Sequence, residues 1–377
     1  MDRSRYAYVR TEPAQTLPPP PSSTGVIGWL HRNLFGSWLD TVLTLVALYI
    51  IWLVVPPIVN FAFVDAVWTG TNREACLGPE VGACWAFVKA RLGYFIYGLY
   101  PVEERWRPDL VFMLGAIGIA WLLWQNAPKR AWGAAFFFLI YPVVAYFLLT
   151  GLPALGLPVV ETSRWGGILV TLVCSVVGIV FSLPLGIVLA LGRRSRMPVA
   201  RLVSITFIEF VRGVPLITVL FMASVMLPLF MPGGVTIDKL LRALIGIALF
   251  ASAYMAEVVR GGLQALPKGQ YEAAQALGLS YWKMMVFVIL PQALTIVIPG
   301  IVNTFIGLFK DTTLVFIVGI FDLLKTIDAS LTDPAWATPV TRYSGYAFAA
   351  VFYFVFCFGM SRYSIYMEKR LSAGRRR

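Results

Sequence analysis

The sequence predicts an all-α polytopic membrane protein with about eight transmembrane helices, a compact set of five preceded by three extra spans. Composition is the first reason. Of the 377 residues 59% are hydrophobic and only 13% charged, with a mean hydropathy of +0.76, whereas a soluble domain carries roughly 25% charged residues. Spacing is the second. Apolar runs of the ~20 residues needed to cross a hydrocarbon core about 30 Å thick recur along most of the chain.

Residues 1–36 are basic and polar, with Pro18 to Pro21 in an unbroken row. They lack the apolar core of a cleavable signal peptide and read as a flexible cytoplasmic tail. The three extra spans fall at 38–60, 109–126 and 131–150, inside a region 37–160. An outer loop, 61–108, rich in aromatics and carrying Cys76 and Cys84, separates the first two, and Lys129-Arg130 mark the turn before the third. A second region, 161–367, is entered at Glu161-Thr-Ser-Arg-Trp165 and holds spans at 166–192, 202–230, 243–260, 285–308 and 342–366. Arg193-Arg194-Ser195-Arg196 mark its first turn, a longer loop, 260–284, joins its third and fourth spans, and a basic tail, 368–377, follows.

An even number of spans puts both termini on one side, and Lys and Arg decide which, because they are retained in the cytoplasm during insertion. With the termini inside, 19 of the 31 basic residues lie inside, among them Arg193 to Arg196 and Arg375 to Arg377. The outer segments hold 11, offset by 12 of the 19 acids. Cys76 and Cys84 then lie on the oxidising side, where a disulfide is expected to pin the tip of the 61–108 loop; the alternative is two thiols packed among aromatics. Cys174 and Cys357 fall within spans and should stay reduced.

The net charge of +12 is dispersed in short clusters between apolar runs, unlike the single basic face of a nucleic-acid binder, so no nucleic-acid partner is expected. One histidine, His31, and four scattered cysteines leave no zinc-ligand spacing, and no metal site is expected. A phosphate-binding P-loop needs Gly-Lys followed by Ser or Thr, and no Gly-Lys dipeptide occurs in the chain. If nucleotide drives this protein, another chain hydrolyses it.

The loop 260–284 carries the clearest motif. Gln270 to Leu277 is good helix-forming material, and Gly278 can adopt the left-handed conformation that ends a helix, so a short helix on the cytoplasmic surface is expected. Ala273, Ala276 and Leu277 share one side of it, and small side chains at Ala273, Ala274 and Ala276 would let another protein come close. The competing reading is an amphipathic connector resting on lipid headgroups, against which its poverty in basic residues argues.

Glu272-Ala273-Ala274, three residues, Gly278, nine residues, Val288, one residue, then Leu290-Pro291 resembles the EAA signature of permease subunits in bacterial ATP-binding-cassette importers, with Val288 in place of the usual Ile. Ala253 to Gly262, Glu209 to Leu216 and Lys310 to Leu314 resemble the polar amino-acid branch, and the extra spans with the run from Arg212 to Ser224 look most like the M-type subunit of the general L-amino-acid permease. The glutamate/glutamine/aspartate/asparagine permease is close behind. The resemblance covers residues 166–366. It implies a permease subunit in the bacterial inner membrane, with no catalytic residue and no cofactor of its own. It also implies partners: a second, distinct permease subunit, two ATPase subunits holding ATP and Mg, and a periplasmic amino-acid-binding protein. Glu272, Ala273, Ala274, Gly278, Leu290 and Pro291 would then belong to the ATPase-coupling segment.

Ionisable residues at membrane depth are costly and hence functional candidates. Glu209 with Arg212, and Glu257 with Arg260, are each three apart on a predicted helix, and read as structural ion pairs in preference to substrate contacts. Asn303, Lys310 and Asp311 follow Pro291 and Pro299; a Lys beside an Asp suits a zwitterionic amino acid, while the alternative is a snorkelling lysine with a helix-capping Asp. Two other classes compete with a transport subunit. A stand-alone ion-gradient carrier would carry an internal repeat, and an intramembrane enzyme would carry a histidine cluster or a paired carboxylate within a span; neither pattern is found.

Overall fold

The computed structural model describes residues 25–124, 127–232 and 237–373. The chain divides into two units, one of residues 1–66 with 80–83 and one holding the rest. Among the described residues seven helices are long and apolar enough to cross a membrane, or eight if a sharply bent pair is counted as one span.

In the first unit α1 (Gly25–Leu34) precedes α2 (Trp38–Val59), which continues through a wide turn to Val64. The expected flexible tail 1–36 is corrected at its end: 25–34 is helical, with Val26, Trp29 and Leu30 supplying apolar residues and His31 and Arg32 opposing the dipole in the last turn. Residues 1–24 lie outside the described residues. Ser37 caps α2 by accepting from the Asp40 amide at 3.1 Å. No residue of α2 is buried, and its Leu, Ile, Val and Trp side chains suit hydrocarbon on every side.

In the second unit α3 (Trp85–Tyr97) leads to α4 (Trp106–Leu123), α5 (Arg130–Ala135) and α6 (Tyr141–Thr150). The last two form one span through a wide turn at Phe136–Ile140. Small residues let α4 and this span pack closely. Gly115 and Gly118 on α4 lie under Tyr141 and Phe137, with no room for a Cβ.

The larger bundle follows: α7 (Gly167–Arg193), α8 (Pro198–Gly213), α9 (Leu216–Phe221), α10 (Lys239–Ala265), α11 (Lys268–Ala276), α12 (Tyr281–Met284), α13 (Leu290–Ile296), α14 (Ile298–Asp311), α15 (Leu323–Ser330) and α16 (Pro339–Ala373). Its axis is the α7/α10 pair. A Cβ on Gly186 would stand 2.7 Å from Met255 Cβ, and one on Gly178 2.9 Å from Ile247 Cγ2, so the helices approach as only small residues permit.

Two predicted spans are corrected. The 202–230 span is bent by 107° between α8 and the Leu216–Phe230 segment. Val214 is extended, as a residue before proline must be, and Pro215 brings no amide to continue the helix. The 285–308 span is instead a short apolar segment, Tyr281–Ile296, then a span over Ile298–Val318. Val297 leaves helical geometry, and Pro291 and Pro299 each open a helix, where their missing amides cost nothing. α16 continues to Ala373, so the first residues of the basic tail 368–377 are helical; Arg375 to Arg377 lie outside the described residues.

The structure joins Cys76 to Cys84. Closing so short a loop contributes about 2–3 kcal/mol in the chain-entropy view. The Cys84 amide donates to Ser344 Oγ at 2.7 Å and the Arg73 amide to the Ala335 carbonyl at 2.8 Å, seating this loop on α16 and the turn before it. Cys174 and Cys357 are unpaired thiols.

At the same end of α7 lies a buried polar seam. Gly166 and Gly167 pair with Phe321 and Asp322, and a Cβ on Gly167, at φ +62°, would run into the Phe95 carbonyl. Asp322 is fully buried and caps α15, accepting from the Leu324 and Lys325 amides at 3.0 and 3.1 Å. Burial pushes its carboxyl up to about 6 from an ordinary 3.8, against the pull of those amides. A raised carboxyl favours the fold while protonated. Stability attributable to Asp322 therefore falls as pH rises from about 4 to about 6, by on the order of 3 kcal/mol, and stays lower above that. Thermal unfolding of wild type and Asp322→Asn across this range should show the wild type losing ground to the variant as pH rises; a constant difference would refute the assignment.

Candidate functional site

The loop between α10 and α13 forms the helix expected at Gln270–Leu277. After Pro267, α11 runs from Lys268 and ends in a Schellman motif: Gly278, at φ +72°, donates its amide to Gln275 at 2.9 Å, and Leu279 donates to Ala274 at 3.2 Å. Ala274 is the one buried residue of α11 and packs into a cluster with Leu263, Met284 and Ile289. The opposite side is open, with Glu272, Ala273 and Ala276 exposed and Leu277 at 79% exposure.

Four polar contacts fix α11 to the bundle. Tyr271 donates its hydroxyl to the Leu263 carbonyl at 3.0 Å and accepts from Arg194 Nη1 at 3.1 Å, with that guanidinium over its ring at 5.6 Å. Gln292 Nε2 donates to Gln270 Oε1 at 3.0 Å. The predicted motif residues Leu290 and Pro291 lie in the first turn of α13, next to Gln292, not on the exposed face of α11. Leu290 packs on the cluster that holds Ala274, whereas Pro291 is exposed.

Beside this loop the charged residues form one network instead of two local pairs. Glu257 on α10 receives three guanidiniums: Arg260 at 2.6 Å, Arg193 from the end of α7 at 3.1 Å, and Arg212 from the end of α8 at 3.6 Å. Arg193 also holds Glu209 at 2.6 Å, and Arg260 reaches Gln264 at 2.9 Å. The expected Glu257–Arg260 pair is present. The expected Glu209–Arg212 pair is corrected: Arg193 takes Glu209, and Arg212 lies between Glu257 and the face of Tyr254, 5.6 Å from the ring centre. Arg193 was read only as a topology signal; its role across helices had no signature in spacing.

A groove of about 450 Å³ opens next to Tyr254, lined also by Leu216, Phe250, Asn303, Gly307 and Asp311. Asn303, Gly307 and Asp311 are spaced by four on α14 and so share one stripe. Of the predicted trio Asn303 and Asp311 are brought together, whereas Lys310 is exposed and not part of the lining. Tyr254, Phe250 and Leu216 were not anticipated, because apolar and aromatic residues are abundant in every span. Among the described residues no group of three His, Cys, Asp or Glu converges as a metal site would need.

The network predicts an order of stability losses. Removing an anion that serves three cations should cost most, removing the bridging Arg193 about 1–3 kcal/mol, and removing the more exposed Glu209 least. Thermal unfolding of Glu257→Gln, Arg193→Gln and Glu209→Gln should rank in that sequence, and equal midpoints would sink the hub assignment.

Residues 182–373 match the family described as binding-protein-dependent transport system inner membrane component. The chain is 53% identical over 361 residues to the inner membrane amino-acid ABC transporter permease protein YhdY of Escherichia coli, covering 95% of this chain and 97% of that one. It is 41% identical over 444 residues to the glutamate/glutamine/aspartate/asparagine transport system permease protein BztC of Rhodobacter capsulatus, covering 99% and 100%. A solved structure described as an amino acid ABC transporter with histidines is 30% identical over 53% of this chain and 90% of its own, with a TM-score of 0.46.

Proposed function

The chain belongs to the family of inner membrane components of binding-protein-dependent transport systems, and from that premise we propose that it is one of two unlike permease subunits of an amino-acid importer. As a member it is a multi-pass transport subunit of an ATP-binding-cassette importer in the bacterial inner membrane, and not an enzyme. Hydrolysis belongs to a separate chain, so in this reading ATP and Mg sit on two ATPase partners. A periplasmic binding protein delivers the cargo. The two relatives matched over nearly their whole length, both named as amino-acid permeases, support amino acids as that cargo.

The observation that carries the coupling role is the outward face of α11. Glu272, Ala273, Ala276 and Leu277 are presented to the outside on a helix held from behind by Tyr271, Ala274 and Gln270. A contact surface so backed moves with the bundle, and that is what transmission of a rigid-body displacement requires. Gly278 ends the helix, while Leu290 and Pro291 start the helix behind it. Both termini, Arg193 and α11 are then cytoplasmic, and the Cys76–Cys84 disulfide faces the oxidising periplasm. Asn303 and Asp311 line this chain's share of the pathway, and a single carboxylate there suits the ammonium of an amino acid.

Glu272→Arg should cut ATP-driven uptake at least about tenfold, since a reversed charge in a docking face is strongly disfavoured, while insertion and assembly persist. Undiminished uptake by a correctly inserted variant would overturn the coupling role.

Two ATPase subunits need two such helices and this chain supplies one, which supports a second permease. The M-type resemblance favours a distinct partner. Full uptake reconstituted from this chain, ATPase and binding protein alone would refute the heterodimer. Family membership leaves the stand-alone ion-gradient carrier without support.

A further inference from the structure

A second cavity, of about 490 Å³, lies where the Gly98–Val102 turn between α3 and α4 faces the end of α15. Gly98 pairs with Trp165 at the start of α7, so the cavity sits at the end of α7 opposite Arg193 and α11. Its charged lining is Arg91, Arg105 and Asp333. Arg91 and Asp333 form an ion pair and cancel. Arg105 has no ion pair among the described residues, and its buried Nε has no acceptor.

That guanidinium is nevertheless held in place. It lies 5.1 Å from the centre of the Tyr97 ring and passes close over Gly93, where a Cβ would stand 2.7 Å from its Nη1. The Tyr97 hydroxyl donates to Asp109 at 2.5 Å, and Asp109 forms no ion pair with Arg105 and does not line the cavity. The mouth, by contrast, is apolar: Leu99 and Val102 are 67% and 69% exposed. Val102 is also the first residue of the membrane span Val102–Leu123, which puts this mouth at the boundary between hydrocarbon and headgroups.

We propose that the cavity binds the phosphodiester of an anionic phospholipid, with the Arg105 fork on the phosphate oxygens and the acyl chains leaving over Leu99 and Val102. The chemistry matches, because a guanidinium with no ion-pair partner among the described residues meets one phosphate whose headgroup carries no cation. A planar fork takes two phosphate oxygens at once, which selects phosphate over a diffuse negative surface. The apolar lip separates a lipid from free phosphate, which shares the anionic chemistry and has nothing to lay on Leu99 and Val102. The inference depends on the chain spanning a membrane and not on the identity of its cargo.

Native mass spectrometry of the detergent-purified transporter complex, stripped of lipid and titrated with phosphatidylglycerol, phosphatidylethanolamine or inorganic phosphate, tests it. Phosphatidylglycerol should be retained at least about tenfold better than phosphatidylethanolamine, and Arg105→Gln should abolish the preference. Inorganic phosphate should not displace the bound lipid. Equal retention of both lipids, retention unaffected by Arg105→Gln, or displacement by phosphate would each overturn the proposal. If Arg105→Gln fails to assemble, Val102→Asn, which wets the lip and keeps the guanidinium, should weaken phosphatidylglycerol retention, and unchanged retention would overturn it equally.

Discussion

The close approach of α7 and α10 is the constraint on which the rest of this structure depends. Gly178 and Gly186 on one helix face Ile247, Met255 and Ala256 on the other, with no space for a single added carbon at either glycine. Helices in a membrane gain little from hydrophobic burial against each other, so contact of this kind and polar links must hold them together. At one end of α7 Thr171 ties it to α15, accepting from the Leu323 amide at 3.1 Å, and at the other end Arg193 and Glu257 meet across the α7/α10 interface. A larger residue at Gly186 would separate the helices, and with them the carboxylate and the guanidinium that the Glu257 network needs.

The network in turn links the groove to the coupling loop. Arg212 stands on Tyr254, which lines the groove, and shares Glu257 with Arg260, four residues before Gln264 at the entry to the loop. Arg194, next to Arg193, holds Tyr271 on α11. The physical link between the proposed pathway and the proposed docking face is thus a chain of charged contacts across three helix ends. Such links are stiff only when all members are present, because a partly buried guanidinium left without its carboxylate is costly.

Much of this was legible. Apolar runs found α2 and α7 to within a residue, because lipid demands one continuous hydrophobic length per span, and found α10 and α16 with their polar ends cut short. Gly278 announced the end of α11, since its left-handed conformation suits few other residues. The misreadings have physical causes. Hydropathy cannot register a break within an apolar stretch, so α13 and α14 were merged, although Pro291 and Pro299 each sit where a helix begins. Spacing of three along α8 allowed Glu209 and Arg212 to meet, but could not reveal that Arg193, sixteen positions earlier, lies closer once α8 folds back on α7. The buried Asp322 had no sequence signature beyond a helix cap.

The groove bears on the proposed pairing with a second permease subunit. Asn303 is exposed and Asp311 only half-buried, and both lie in helix α14, within a membrane span. A carboxylate and an amide facing hydrocarbon would cost several kcal/mol between them. Polar groups at such depth persist where protein covers them or where they border water. The sharp turn at Gly213–Pro215 brings Leu216 to the same groove, so backbone freed from helical hydrogen bonding is close by as well. A second subunit closing over this face would leave Asn303 and Asp311 looking into a shared, hydrated passage, and the cost that an isolated chain would carry becomes the polarity that an amino acid needs on its way through.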